Sequence, residues 1–188
     1  MTSTSVKSTQ RFWHRWWRPI LISAVALLLN VIMYVFMAPR LVLRLGRFGY
    51  VGAFVVAAIA NATILIPVPY YPVIARLAQV LNIWVVILAA AAGSALGESI
   101  AYFVGRSGKG IVQQSTLNDW IQRQMKHPWR APLVLFALSA PPNPIFDVAG
   151  LVAGAFGVPL WVFLVSVFLG RIVRMGLVVL AGLSFAWI

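Results

Sequence analysis

Two proline pairs interrupt the most apolar stretches of this chain. Pro67-Val68-Pro69 lies within ILIPVPYYP, and Pro142-Asn143-Pro144 lies within SAPPNPIFD. Each proline removes a backbone donor and clashes with the preceding helical turn. In hydrocarbon an unsatisfied backbone group costs several kcal/mol, so broken backbone survives there only when buried in protein or lining a wet cavity. Two such breaks in corresponding places are the sequence mark of a transporter-like site near the bilayer midplane.

The bilayer itself follows from composition. The chain is 62% hydrophobic and 10% charged, with a mean hydropathy of +0.92. A soluble domain of this size cannot hide so much apolar surface. The net charge of +12, from 15 basic and 3 acidic residues, raises the question of nucleic acid. The basic residues flank apolar spans rather than forming a stripe, so the positive-inside rule and anionic lipid headgroups account for them and nucleic acid is excluded as a partner. With no cysteine there is no disulfide, thiolate metal site or redox pair. No small-residue cleavage site follows the first apolar run, so no cleaved signal is expected. Size suits one membrane domain, 1–188.

Within it, residues 1–47 form a basic, tryptophan-rich lead, a first span over Pro19 to Pro39, and a juxtamembrane segment with Arg40, Arg44 and Arg47. Residues 48–105 form a first repeat: an entering arm over about 49–66, an exiting arm over about 70–80, and a full helix over about 83–105. The exiting arm is too short to cross, so 49–80 is a re-entrant hairpin. Residues 106–130 are a polar connector. It holds Thr116 to Asp119 as a capping-box variant, and Leu117, Trp120, Ile121 and Met125 on one face of an amphipathic surface helix. Residues 131–188 repeat the plan, with arms over 131–141 and 145–156 and a span over about 159–187. Trp84 to Gly93 and Trp161 to Gly170 are both nine positions; Gly93 to Gly105 and Gly170 to Gly182 are both twelve. One span per half makes this an inverted repeat. The expected fold is all-α and integral to the membrane: one N-terminal transmembrane helix, then two re-entrant helical hairpins, each followed by a spanning helix. Nine Lys/Arg in 1–18 and 106–130, against three in 40–47, put the N-terminus on the cytoplasmic side. A bacterial inner membrane is the expected location.

Charges inside the apolar region are few and therefore informative. They are Arg76, Glu98 and Asp147, with Arg171 and Arg174 placed near a membrane face, snorkelling or holding a phosphate. Each is read either as functional or as half of a structural ion pair, Glu98 with Arg171 and Asp147 with Arg76. Asn61, Thr63 and Asn143 can satisfy backbone groups freed by proline. Gly93, Gly97, Ala101 and Gly105 form a small-residue ridge for close helix approach, as do Gly150 and Gly154. Arg106 is an interfacial anchor; His14 and His127 lie in exposed segments. Gly105 to Gly110 lacks the frame and Lys-Ser/Thr ending of a P-loop. No Ser/His/Asp order, His pair or CxxC is present, so the chain is not expected to be an enzyme.

Three segments resemble the DedA/VTT superfamily, also described as SNARE-associated Golgi proteins: ILIPVPYYPVIARLAQVLN, GSALGESIAYFVGRSG and PPNPIFDVAGLVAGAFGVPLWVFLVSVFLGR. The resemblance covers roughly 48–180. It implies re-entrant loops meeting from opposite faces, and lipid translocation: flipping of undecaprenyl phosphate or phosphatidylethanolamine-type lipids in bacteria, phospholipid scrambling in eukaryotes. Some bacterial members depend on the proton motive force, through a glutamate before the first proline pair and an arginine before the second loop. This chain departs at both, near Asn61 or Ala62 and near Ser139. Asp147 and Glu98 match the family's other two acids, and Arg76 is a candidate substitute for the missing arginine.

The function expected is a lipid transporter, a scramblase or flippase moving phospholipid or polyprenyl-phosphate headgroups through a groove between the two broken loops. Arg76, Asn143, Asp147, Arg171 and Arg174 would bind the headgroup, and Asp147 or Glu98 would couple protons or ions. Pro67, Pro69, Pro142 and Pro144 make the breaks. No cofactor or metal is implied. The partners are membrane lipids with anionic or phosphate heads, and homo-oligomerisation stays open. The alternatives are a proton- or ion-coupled small-molecule exporter and a non-transporting assembly factor.

Overall fold

A computed structural model of the chain describes residues 28, 32, 46–62, 69–108, 123–141 and 145–184, with backbone alone for 145–149. The first span beyond Leu28 and Ile32, the connector over 109–122, Pro67, Pro142, Asn143, Pro144 and the Asp147 side chain lie outside the described residues.

The described chain is helical: α1 (Phe48–Ala62), α2 (Tyr71–Val80), α3 (Ile83–Ser107), α4 (Arg130–Ser139), α5 (Ile145–Ala155) and α6 (Leu160–Ser184). Local chemistry sets the boundaries. Pro72 sits in the first turn of α2, where its missing N–H is harmless. Asn82 caps α3, its Oδ1 accepting from the backbone N–H of Trp84 at 3.1 Å and Val85 at 3.3 Å. Its own backbone N–H donates to Tyr50 Oη on α1 at 3.1 Å. Helix α5 ends in a Schellman turn. Val158 N–H donates to Ala153 O, and Gly157 N–H to Gly154 O. Gly157 takes φ +70°, a conformation cheap only for glycine, and Pro159 blocks continuation before α6 starts.

Helices α3 and α6 have 25 residues each and are apolar enough to cross a membrane. At 1.5 Å per residue each is about 37 Å long, more than the ~30 Å hydrocarbon core. Helices α1, α2, α4 and α5, at 15, 10, 10 and 11 residues, fall short of it. The packing is crossed. Helix α1 lies on α3 and α4 lies on α6, while α2 lies on α6 and α5 lies on α3. Two ties set α3 and α6 antiparallel. Tyr102, near the end of α3, donates to Val158 O before α6 at 2.6 Å. Gln79, near the end of α2, donates to Gly182 O near the end of α6 at 3.3 Å.

Glycine register explains how the helices come so close. A Cβ at Gly93 would strike the Phe54 carbonyl of α1, and one at Gly170 the Phe136 carbonyl and Ser139 of α4. Twelve residues later in each span, Gly105 meets the Leu151 carbonyl of α5 and Gly182 meets Ala75 of α2. The equal spacings thus seat equivalent crossings. The ridge from Gly93 to Gly105 is not one packing face, as expected from sequence, but two. Steps of four residues drift by about 40° on a helix, so three steps turn the surface by about 120° from α1 to α5.

The outward faces are apolar. Val51, Val55 and Ile59 on α1, Leu88, Leu96, Ile100 and Phe103 on α3, and Val165, Leu169, Val173, Leu177 and Leu180 on α6 are exposed. Rows of this kind at helical spacing suit lipid rather than water. Trp84 and Trp161, 72% and 70% exposed, head the two spans at opposite ends, where interfacial tryptophans belong.

Candidate functional site

The polar centre is built on the two spans. Glu98 of α3 and Arg171 of α6 form an ion pair with side chains only 2% exposed each. Arg174 lies one turn further along α6, 4% exposed; its Nη2 donates to the backbone carbonyl of Pro141, the residue before the second proline pair. Tyr70, directly after Pro69, is buried. It stacks at 4.4 Å on the ring of Tyr71, and both rings are near enough to Arg171 to interact with its charge, as is Arg174. The flanks of both proline segments therefore meet one group of buried charges.

Burial makes that group energetically exacting. Taking an arginine and a carboxylate out of water costs several kcal/mol per ion, offset only by close pairing and further hydrogen bonds. Such bonds are incomplete here. Ser94 Oγ, Glu98 Oε2 and Arg174 Nε are buried and have no hydrogen-bond partner among the described residues. Ser94 precedes Glu98 by four residues and shares its helix face. Buried polar atoms are normally satisfied, so these three stand out among the described residues.

Arg171 and Arg174 are buried near the middle of α6. Arg76 lies elsewhere. It is half-buried on α2, and its Nη1 donates to Gln79 Oε1 at 3.1 Å, Gln79 in turn reaching Gly182. Gly182 is eleven residues past Arg171, about 16 Å along the helix. The structure thus joins Glu98, Arg171 and Arg174 and sets Arg76 toward the far end of α6.

Nearer the α6 start, the buried Tyr102 hydroxyl also accepts from Arg106 Nη1 at 2.9 Å, and its ring lies 5.0 Å from that of Phe163. Asn61 Nδ2 donates back to Ala57 O at 2.7 Å, a local bond within α1. Sequence reasoning missed Tyr70, Ser94 and the Pro141 carbonyl. A tyrosine beside a proline reads as belt, a serine among alanines as filler, and a backbone acceptor leaves no side-chain signal.

Two curated eukaryotic proteins resemble the chain. Vacuole membrane protein KMS1 of Arabidopsis thaliana is 27% identical over 101 residues, 42% of this chain and 24% of the plant protein. Vacuole membrane protein 1 homolog of Dictyostelium discoideum is 29% identical over 106 residues, 44% of this chain and 26% of that protein. The matched segment is thus about a quarter of each relative's length. No solved structure matches. The VTT domain model matches residues 68–184, from Val68 between the two prolines of the first pair to the end of α6. With more than half of its length in that match, this membrane protein belongs to the VTT domain family.

Proposed function

We propose that the chain moves lipid headgroups between leaflets and is not an enzyme. One observation carries the reading: Glu98, Arg171 and Arg174 are buried together at mid-span, against residues that flank both proline breaks. Intramembrane charge of this kind normally faces a partner or a pathway. The short helices α1, α2, α4 and α5 are then the arms of two re-entrant hairpins. Their crossed packing on α3 and α6, with glycine seats at equal spacing, supports an inverted repeat about a mid-membrane axis.

On this reading a phosphate head passes along α6 while its acyl tails stay in lipid. Arginine holds phosphate through paired N–H donors. Glu98 acts as the resident anion, keeping Arg171 charged and placed between passages, and a phosphate takes its role during one. Arg76 receives the head toward the far end of α6. Asn143 and Asp147, which belong to the second proline segment and its following helix, add polar groups to the route. The N-terminus and the connector face the cytoplasm, and a tagged chain imaged in its own cells decides between plasma and internal membranes.

The test is reconstitution in liposomes with fluorescent phospholipid and a membrane-impermeant quencher. Quenching well beyond the outer-leaflet half is expected, lost in Arg174→Gln and weakened in Tyr70→Phe. Quenching that stops at half for both phospholipid and polyprenyl phosphate overturns the reading. Full activity in both variants removes the charged centre from the route.

One observation favours coupled export of a small molecule instead. The Oε2 atom of Glu98 is buried without a hydrogen-bond donor among the described residues, as a proton-accepting carboxylate would be. That reading requires proton flux coupled to a soluble substrate, measured in the same liposomes, and abolished in Glu98→Gln.

A further inference from the structure

A separate cavity opens at the end of the molecule where α6 begins. It measures about 600 Å³, within the ~300–1,000 Å³ of small-ligand pockets. Its walls are apolar and include Met125, Trp129, Trp161 and Val165, with Lys126 at the mouth and Ser166 inside. Trp129 and Trp161 are 85% and 70% exposed, so the opening is bounded by two indoles at headgroup level. The Lys126 ammonium sits 5.8 Å from the Phe156 ring centroid, a cation held against the apolar wall. Arg123 and Arg130 lie three and four residues to either side in sequence, in a chain of net charge +12.

We infer that this cavity is a binding site for one anionic glycerophospholipid of the adjoining leaflet, with an acyl chain against Met125 and Val165 and the phosphate at Lys126. Three features select that occupant. The walls offer almost nothing to a polar solute. One basic side chain, Lys126, lines the cavity where an anionic head would lie. The tryptophan pair fixes the mouth at the depth of headgroups rather than in water. A zwitterionic lipid meets the same walls but gains less from the basic rim. The site is distinct from the buried charges at mid-span, although Ser166 lies only five residues before Arg171 on α6, about 7 Å along the axis. It needs no leaflet exchange, so it stands or falls apart from the transport reading.

The test is native mass spectrometry of the full-length chain in detergent, titrated with dioleoylphosphatidylglycerol or dioleoylphosphatidylcholine. Retention of one phosphatidylglycerol, several-fold preferred over phosphatidylcholine, is expected. Lys126→Gln should cut that preference about fivefold, the effect of one basic group near an anionic head. Val165→Trp should fill the cavity and abolish retention of either lipid. Both positions are exposed, and unchanged melting of the variants confirms their fold. Equal retention of the two lipids, or retention unaltered by either substitution, overturns the site. So does chemical cross-linking that seats the chain's own 109–122 segment between Trp129 and Trp161.

Discussion

The carboxylate of Glu98 and the guanidinium of Arg171 meet across the crossing of α3 and α6, the only place where the two long helices exchange opposite charges among the described residues. A buried pair of this kind contributes little net stability compared with a well-packed apolar pair, but it tolerates poorly the loss of one member. Its value lies in registering one span against the other.

Glu98→Gln is therefore expected to destabilise the protein by about 3–5 kcal/mol, since it strands the Arg171 charge. The double variant Glu98→Gln with Arg171→Met should recover most of that loss. Thermal melting in detergent measures both, and a single variant that melts like the parent would show that the pair does not register the spans.

Alanine at Gly105 or Gly154 places a methyl against backbone, the Leu151 carbonyl in one case and the Tyr102 carbonyl in the other. Backbone cannot rotate away, so each should cost about 1–3 kcal/mol. Gly52 and Gly176 have open space around them. Alanine there should be neutral or stabilise by up to about 1 kcal/mol through helix propensity. Melting of the four variants separates crossing glycines from incidental ones.

Tyr102→Phe removes a hydroxyl that donates to Val158 O and accepts from Arg106. The buried carbonyl loses its donor, at a cost of about 1–3 kcal/mol. A change below a few tenths of a kcal/mol in denaturant titration would mean that another donor replaces it.

Asn82→Ala deletes the cap of α3 and should cost about 1 kcal/mol. Asn82→Asp keeps the accepting oxygen and should restore it. Faster amide exchange at Trp84 and Val85 in the alanine variant, and not in the aspartate one, is the local signature.

Helix positions were readable because their punctuation is chemical. Pro72, Asn82, Gly157 and Pro159 end or begin helices by missing donors, side-chain caps or positive φ, properties of single residues that need no neighbour. The crossings were half-readable. The spacing of Gly93 to Gly105 against Gly170 to Gly182 was visible, but which helix fills each seat depends on where distant segments return. The charged centre was harder still. Glu98 meets Arg171, and the Pro141 carbonyl meets Arg174, across long separations in sequence, which composition does not register. Arg76 illustrates the remaining limit, because its position is set by Gln79 reaching Gly182, a contact across most of the chain.

The crossed packing has a consequence for how the molecule is made. Helix α3 emerges from the ribosome before α5 exists, so the face with Gly105 at its centre waits uncovered in the bilayer until the second half is synthesised. Helix α2 waits likewise for the far end of α6. The first half is therefore an unfinished insertion product, and its lifetime in the membrane is set by the speed of translation through the second. A chain truncated after α3 should be captured by membrane quality control rather than accumulate as a folded half.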